Sequence, residues 1–134
     1  MKLIMILQLL IAIGLINVWL FRFNKATAYR GGNAKNMKEE FIEYGLPVWL
    51  MYLVGIAKVA IAGMLIFSFW IFMNEIKEYL DFAKNLLFYN LLALAILMIG
   101  ALLMHVKVKD PIKKSYPALS ILFMIALIMY STMN

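Results

Sequence analysis

The sequence predicts an all-α fold, an integral membrane four-helix bundle, and three observations carry that reading. Hydrophobic residues make up 66% of the 134 positions and charged residues only 15%, against roughly 45–50% and about 25% in a soluble domain. Four apolar runs each approach the roughly 20 residues needed to cross a hydrocarbon core of about 30 Å. The charged residues, with one exception, stand at the ends of those runs or between them. The chain is long enough for one domain, and it has too little polar surface to cover itself in water.

The first span is residues 3–21, "LIMILQLLIAIGLINVWLF", which carries no charge. Arg22 and Lys25 stand between it and the small-residue string "ATA" at 26–28, so it reads as a span rather than a cleaved secretory signal. The second span, residues 46–72, follows "YGLP" and contains the exceptional charge, Lys58. The third is residues 86–104. The fourth is residues 116–133, with Pro117 in the first helical turn, where its missing N–H costs little.

In the first connection, "NAKNMKEEFIEYG" places Met37, Phe41 and Tyr44 at i, i+4 and i+7. That spacing predicts a short amphipathic helix over 34–44 lying at the membrane interface, ended by Gly45. The second connection, "NEIKEYLDFAKN", reads as another short interfacial helix or as an extension of a span.

Composition removes several chemistries. Without cysteine there is no disulfide and no thiolate metal site. The single histidine, His105, argues against a haem or a His-rich metal centre, and the eleven methionines are not clustered as a copper site requires. No Ser/His/Asp set, glycine-rich phosphate loop or HExxH is present, so neither a metal nor an intrinsic cofactor is expected. Glu39, Glu40, Glu43, Glu75, Glu78, Asp81 and Asp110 all fall in connections, where a solvated face accounts for most of them.

The net charge of +6 forms no stripe of the kind that binds nucleic acid. It reads instead as a topology signal and as contacts to membrane lipids. The first and third connections carry nine Lys and Arg, against three on the opposite side. The positive-inside rule then places connections 22–45 and 105–115 in the cytoplasm and both termini outside. The expected setting is a bacterial or archaeal cytoplasmic membrane.

Lys58 is the residue that needs explaining. A charge at the centre of a span costs about 2.5–3.5 kcal/mol when it faces lipid. Gly55 and Ala62 lie at i−3 and i+4 from it with Gly63 close by, and small residues let helices approach. This face is therefore expected to turn into the bundle. Asn90 and His105 share a stripe of the third span with Ala101; Gln8 and Asn17 supply polar groups on the first, and Ser120 and Tyr130 on the fourth. Lys58, Asn90, His105, Gln8 and Asn17 are the expected ligand-binding or bundle-organising residues, and Gly55, Ala62, Gly63, Gly100 and Ala101 the expected packing residues. The plainer alternative pairs Lys58 with Glu40 or Glu43, or with backbone carbonyls, for assembly alone. His105 has a plainer alternative too, an interfacial structural role in place of proton transfer.

The chain resembles the DoxX-like family of small four-span membrane proteins. The matching stretches are "EYGLPVWLMYLVGIAKVAIAGMLI", "IKEYLDFA" and "IGALLMHVKVKDPIKKSYPAL". Gly55, Lys58 and Gly63 match the pattern of the family's second span, and Gly100, Ala101, His105 and Asp110 that of its third span and following connection. The sequence departs from the commoner form by carrying Lys58 where a carboxylate is usual. The resemblance implies a four-helix membrane bundle and a link to quinone-dependent redox systems.

Two functions are expected to compete. The first is a non-catalytic membrane subunit, or a bundle that binds a quinone or lipid, associated with a redox system and with other membrane subunits. The second is a quinone-linked oxidoreductase whose partner supplies the cofactor. A transporter has less support, because neither inverted repeats nor broken spans are evident.

Overall fold

Each long apolar run forms a helix, as it must where the bilayer offers no hydrogen bonds to the backbone. The computed structural model describes residues 1–133. Helix α1 is Lys2–Ile16 and continues as a π-helical turn over Asn17–Phe21. Helix α2 is Met37–Glu43, α3 Val48–Met73, α4 Leu80–Lys107 and α5 Tyr116–Met133. Single 3-10 turns at Lys77–Tyr79 and Ile112–Ser115 lead into α4 and α5. The second connection therefore extends the third span, and no separate interfacial helix forms there.

Four helical segments are long and apolar enough to cross a membrane, and the protein is an integral membrane protein. Helix α1 packs on α3, α3 on α4, α4 on α5, and α5 back on α1. The core between them contains Ile11, Leu65, Leu91, Leu94 and Ile128. Outward faces are equally apolar, with Trp49 and Trp70 exposed near opposite ends of α3, as suits a surface that meets lipid and its interfaces.

The first connection folds as a lid over one end of the ring. Asn36 caps α2 by accepting a 2.8 Å hydrogen bond from the Glu39 amide. At the other end Gly45 takes φ +73°, and the Leu46 amide donates back to the Phe41 carbonyl at 2.9 Å. This is a Schellman closure, where glycine adopts the left-handed conformation at little cost. The expected apolar face is real, but it points elsewhere than anticipated. Met37 and Phe41 are buried against Trp19 and Met51, so α2 lays its apolar stripe on the bundle itself and not on lipid.

Two packing expectations are corrected. A Cβ at Gly63 would meet nothing within 4 Å, and the residue is exposed. Five residues on from Lys58, at 3.6 per turn, it lies about 140° around the helix and faces outward. A Cβ at Gly100 also meets open space. Gly55 is the close approach: its Cβ would fall 2.8 Å from the Trp19 ring. Ala62 is fully buried, and Ala101 packs partly buried against the core.

These differences generate a paired test. Gly55→Ala should lower stability by about 1–3 kcal/mol, because Trp19 must move. Gly63→Ala should be neutral or stabilising by up to about 1 kcal/mol, since it adds helix propensity in open space. Thermal unfolding of both variants in the same detergent checks the contrast.

Candidate functional site

Beneath the lid lies a cavity of about 620 Å³, within the usual ligand-pocket range of roughly 300–1,000 Å³. Its lid end is polar, with Asn17, Arg30, Glu40, Tyr44 and His105 in the lining. Its deeper end is apolar, bounded by Leu10, Ile96, Leu97 and Met124. Leu10 and Val18 on α1 and Ser120 on α5 are lining residues that are also exposed. Ile96 on α4 is an exposed lining residue as well, so the cavity is open to the side past α1, α4 and α5.

Lys58 sits on the wall about 15 Å along α3 from Val48, at 1.5 Å per residue. It is 8% exposed. Helical side chains lean toward the helix N-terminus, which in α3 is the lid end. The ammonium accordingly stands 5.3 Å from the centroid of the Trp19 ring. Trp19 is held by Gly55 behind it and by edge contact with Phe41, with ring centroids 6.2 Å apart. A desolvated cation–π contact contributes about 2 kcal/mol, less than the cost of about 2.5–3.5 kcal/mol for a charge at the centre of a span. The ring offsets only part of the penalty.

No salt bridge reaches Lys58 among the described residues, so the expected alternative of a Glu40 or Glu43 partner does not hold. Glu40 is already taken. Its carboxylate accepts from Arg30 at 2.8 Å, from the Tyr44 hydroxyl at 2.8 Å and from the Gly31 amide at 3.2 Å. Glu43 instead lies over Gly32. Arg30, only 4% exposed, also donates to the carbonyls of Arg22, Phe23 and Lys25. Burial, and after it the neighbouring Glu40 carboxylate, push the Tyr44 phenol well above its ordinary range. The phenol is thus a fixed donor.

A second polar knot joins the lid to the connection between α4 and α5. Just past the end of α4, Lys109 takes φ +59° and the Asp110 amide donates to the His105 carbonyl at 3.0 Å. That turn brings the Asp110 carboxylate back onto His105 Nδ1 at 2.7 Å. Asp110 also accepts from the Gly32 amide at 3.0 Å, and Lys114 Nζ donates to the Gly32 carbonyl at 2.6 Å. Lys107 Nζ reaches the Tyr44 carbonyl at 2.7 Å. Burial alone would raise the Asp110 carboxyl, but hydrogen bonds from His105 and Gly32 and the nearby Lys114 charge hold it below the usual value. With Nδ1 so engaged, His105 keeps Nε2 as its other ring nitrogen.

Of the expected site residues, Lys58, Asn17 and His105 line the cavity, and Gly100 and Ala101 line it with them. Gln8 and Asn90 do not. Gln8 is fully buried and donates to the Leu65 carbonyl at 2.7 Å and to Ser68 Oγ at 2.6 Å. Asn90 is buried, and its Nδ2 has no partner among the described residues. Helical spacing assigned these residues a face but not a depth. Asn90 lies 15 positions from His105, about 22 Å along α4. Ser120 lines the cavity and donates to the Pro117 carbonyl, while Tyr130 is exposed. Arg30 and Trp19 were missed as site residues, while Glu40 was named only as a partner for Lys58 and Asp110 only through the family pattern. For Asp110 the cue was its place five residues beyond His105 at a helix end.

A family model, DoxX-like, matches residues 6–128, and so covers all four spans and the lid. The chain belongs to the DoxX-like family. The likeness reaches further toward the N-terminus than the motifs from Glu43 onward had marked. No match was found among curated proteins or among solved structures.

Removing the lid's anchor has a definite outcome. Asp110→Ala leaves the Gly32 amide and His105 without their acceptor and should destabilise the protein by about 1–3 kcal/mol, with faster amide exchange in the lid. A depressed carboxyl contributes stability that is complete above its ordinary value near 3.9 and is lost as pH falls through the folded-state value. The melting temperature of the wild type should therefore fall more steeply than that of Asp110→Asn between about pH 5 and pH 3.

Proposed function

We propose that this DoxX-like protein is a non-catalytic membrane subunit whose bundle binds an amphipathic small molecule, a quinone or a lipid, within a redox-associated assembly. The observation that carries this reading is the cavity: polar under the lid, apolar below, open to the side, with a buried ammonium on its wall. An amphiphile entering from the bilayer meets those features in the right order. Its chain replaces lipid with Leu10, Leu97 and Met124, and its head lies within reach of Lys58 and Asn17. The link to a redox system and to further membrane subunits rests on the family alone. The Lys and Arg excess at the lid end favours a cytoplasmic lid.

One observation favours a second reading, a quinone-linked oxidoreductase. His105 lines the same cavity with its other nitrogen fixed by Asp110, an arrangement able to relay a proton to or from a bound quinone. A cofactor-bearing partner would have to supply the electrons.

Native mass spectrometry of the full chain extracted from its own membranes tests the binding reading. A defined small molecule should be released from the wild type. Gly100→Leu, whose Cβ meets open space at the cavity wall, should abolish its retention while the protein stays folded. Equal retention by both proteins would contradict the reading.

A further inference from the structure

We propose that the occupant of the cavity carries an anionic oxygen head group on an alkyl tail, with the head set against Lys58. This deepens the binding reading above and rests on it. Most of the charges that line the cavity are met within the protein. Arg30 is met by Glu40 at 2.8 Å, and Lys114 by the Gly32 carbonyl at 2.6 Å with Asp110 at 3.6 Å. The one carboxylate in the lining, Glu40, has three donors of its own. Lys58 and Arg22 remain, and no salt bridge reaches either among the described residues.

Lys58 is the decisive one, because it is more than nine-tenths buried and faces the cavity. Its ammonium has three N–H donors, yet it makes no hydrogen bond within the protein among the described residues. The Trp19 face supplies attraction on one side, and the Glu40 carboxylate attracts the ammonium only from beyond salt-bridge distance. A neutral carbonyl would accept one hydrogen bond. A carboxylate or phosphate would also cancel the charge, and charge-assisted hydrogen bonds are roughly twice as strong as neutral ones. Asn17, whose side chain makes no hydrogen bond among the described residues, adds an amide donor to the lining from the turn that also carries Trp19.

The same geometry selects the tail. Below Lys58 the lining is Leu10, Leu97 and Met124, with no polar side chain among them. The lateral opening, where Leu10, Ile96 and Ser120 are exposed, admits a chain from the side. This combination distinguishes the proposed ligand from a free anion, which would gain nothing from the apolar end, and from a neutral quinone, which would leave Lys58 without an anion in direct contact.

The test uses the full chain in mild detergent, with palmitate, hexadecyl phosphate, hexadecanol and decylubiquinone offered separately and the bound fraction read by native mass spectrometry. The wild type should hold palmitate or hexadecyl phosphate about tenfold or more tighter than hexadecanol, as one charge-assisted contact allows. The stronger of the two anions identifies the head group. Lys58→Arg should keep that preference. Lys58→Met should lose it, bringing the anions down to the level of hexadecanol. If hexadecanol or decylubiquinone bind the wild type as tightly as the anions, or if Lys58→Met leaves anion binding unchanged, the anionic head is overturned while the binding cavity stands. If none of the four probes is retained by any variant, the binding reading fails with it.

Discussion

A full positive charge half-way along a membrane span constrains everything around it. Neither lipid nor a packed apolar core can solvate the Lys58 ammonium. The chain answers with a helix that turns the residue inward, a Trp19 ring beneath the charge and a cavity beside it. Gly55 is part of that answer, because any side chain there would push Trp19 away. Among the described residues no carboxylate reaches salt-bridge distance of the charge, although Glu40 lines the same cavity and attracts it from further off. A buried pair that only stabilised the bundle would have closed that gap, so the open geometry favours a binding role over an assembly role.

The lid is held by two polar knots that divide the work. Arg30, Glu40 and Tyr44 tie the first connection to itself, using the full donor set of the guanidinium and consuming the carboxylate that would otherwise neutralise Lys58. Asp110, Lys114 and Lys107 tie it to the turn after α4 and to the start of α5. Both knots are largely buried; the first shapes the connection, and the second docks it on the bundle. His105 belongs to the second knot and to the cavity wall at once. Lid docking and the chemistry of the cavity therefore share a residue.

The sequence made the four spans legible because length and hydropathy alone decide what crosses a bilayer. The amphipathic helix over Met37, Phe41 and Tyr44 was legible for the same kind of reason, a spacing of four and three. What that face meets was not, since lipid and a bundle present equally apolar partners. Lys58, Asn17 and His105 could be chosen as polar residues in apolar surroundings. Gln8 and Asn90 looked the same by that criterion, and only their depth separates them from the cavity. Arg30 and Glu40 stood among ordinary connection charges; their burial depends on how the chain from Arg22 to Gly45 folds over the ring, which no local pattern specifies.

The most direct measurement is an experimental density map of the protein purified from its native membrane, inspected at the Lys58 ammonium. The account predicts elongated density that is not protein, with one end within hydrogen-bonding distance of Lys58 Nζ and the other against Leu10 and Met124. A map in which Glu40 or another carboxylate of the chain reaches Nζ, with side chains filling the space beside Trp19, would contradict it.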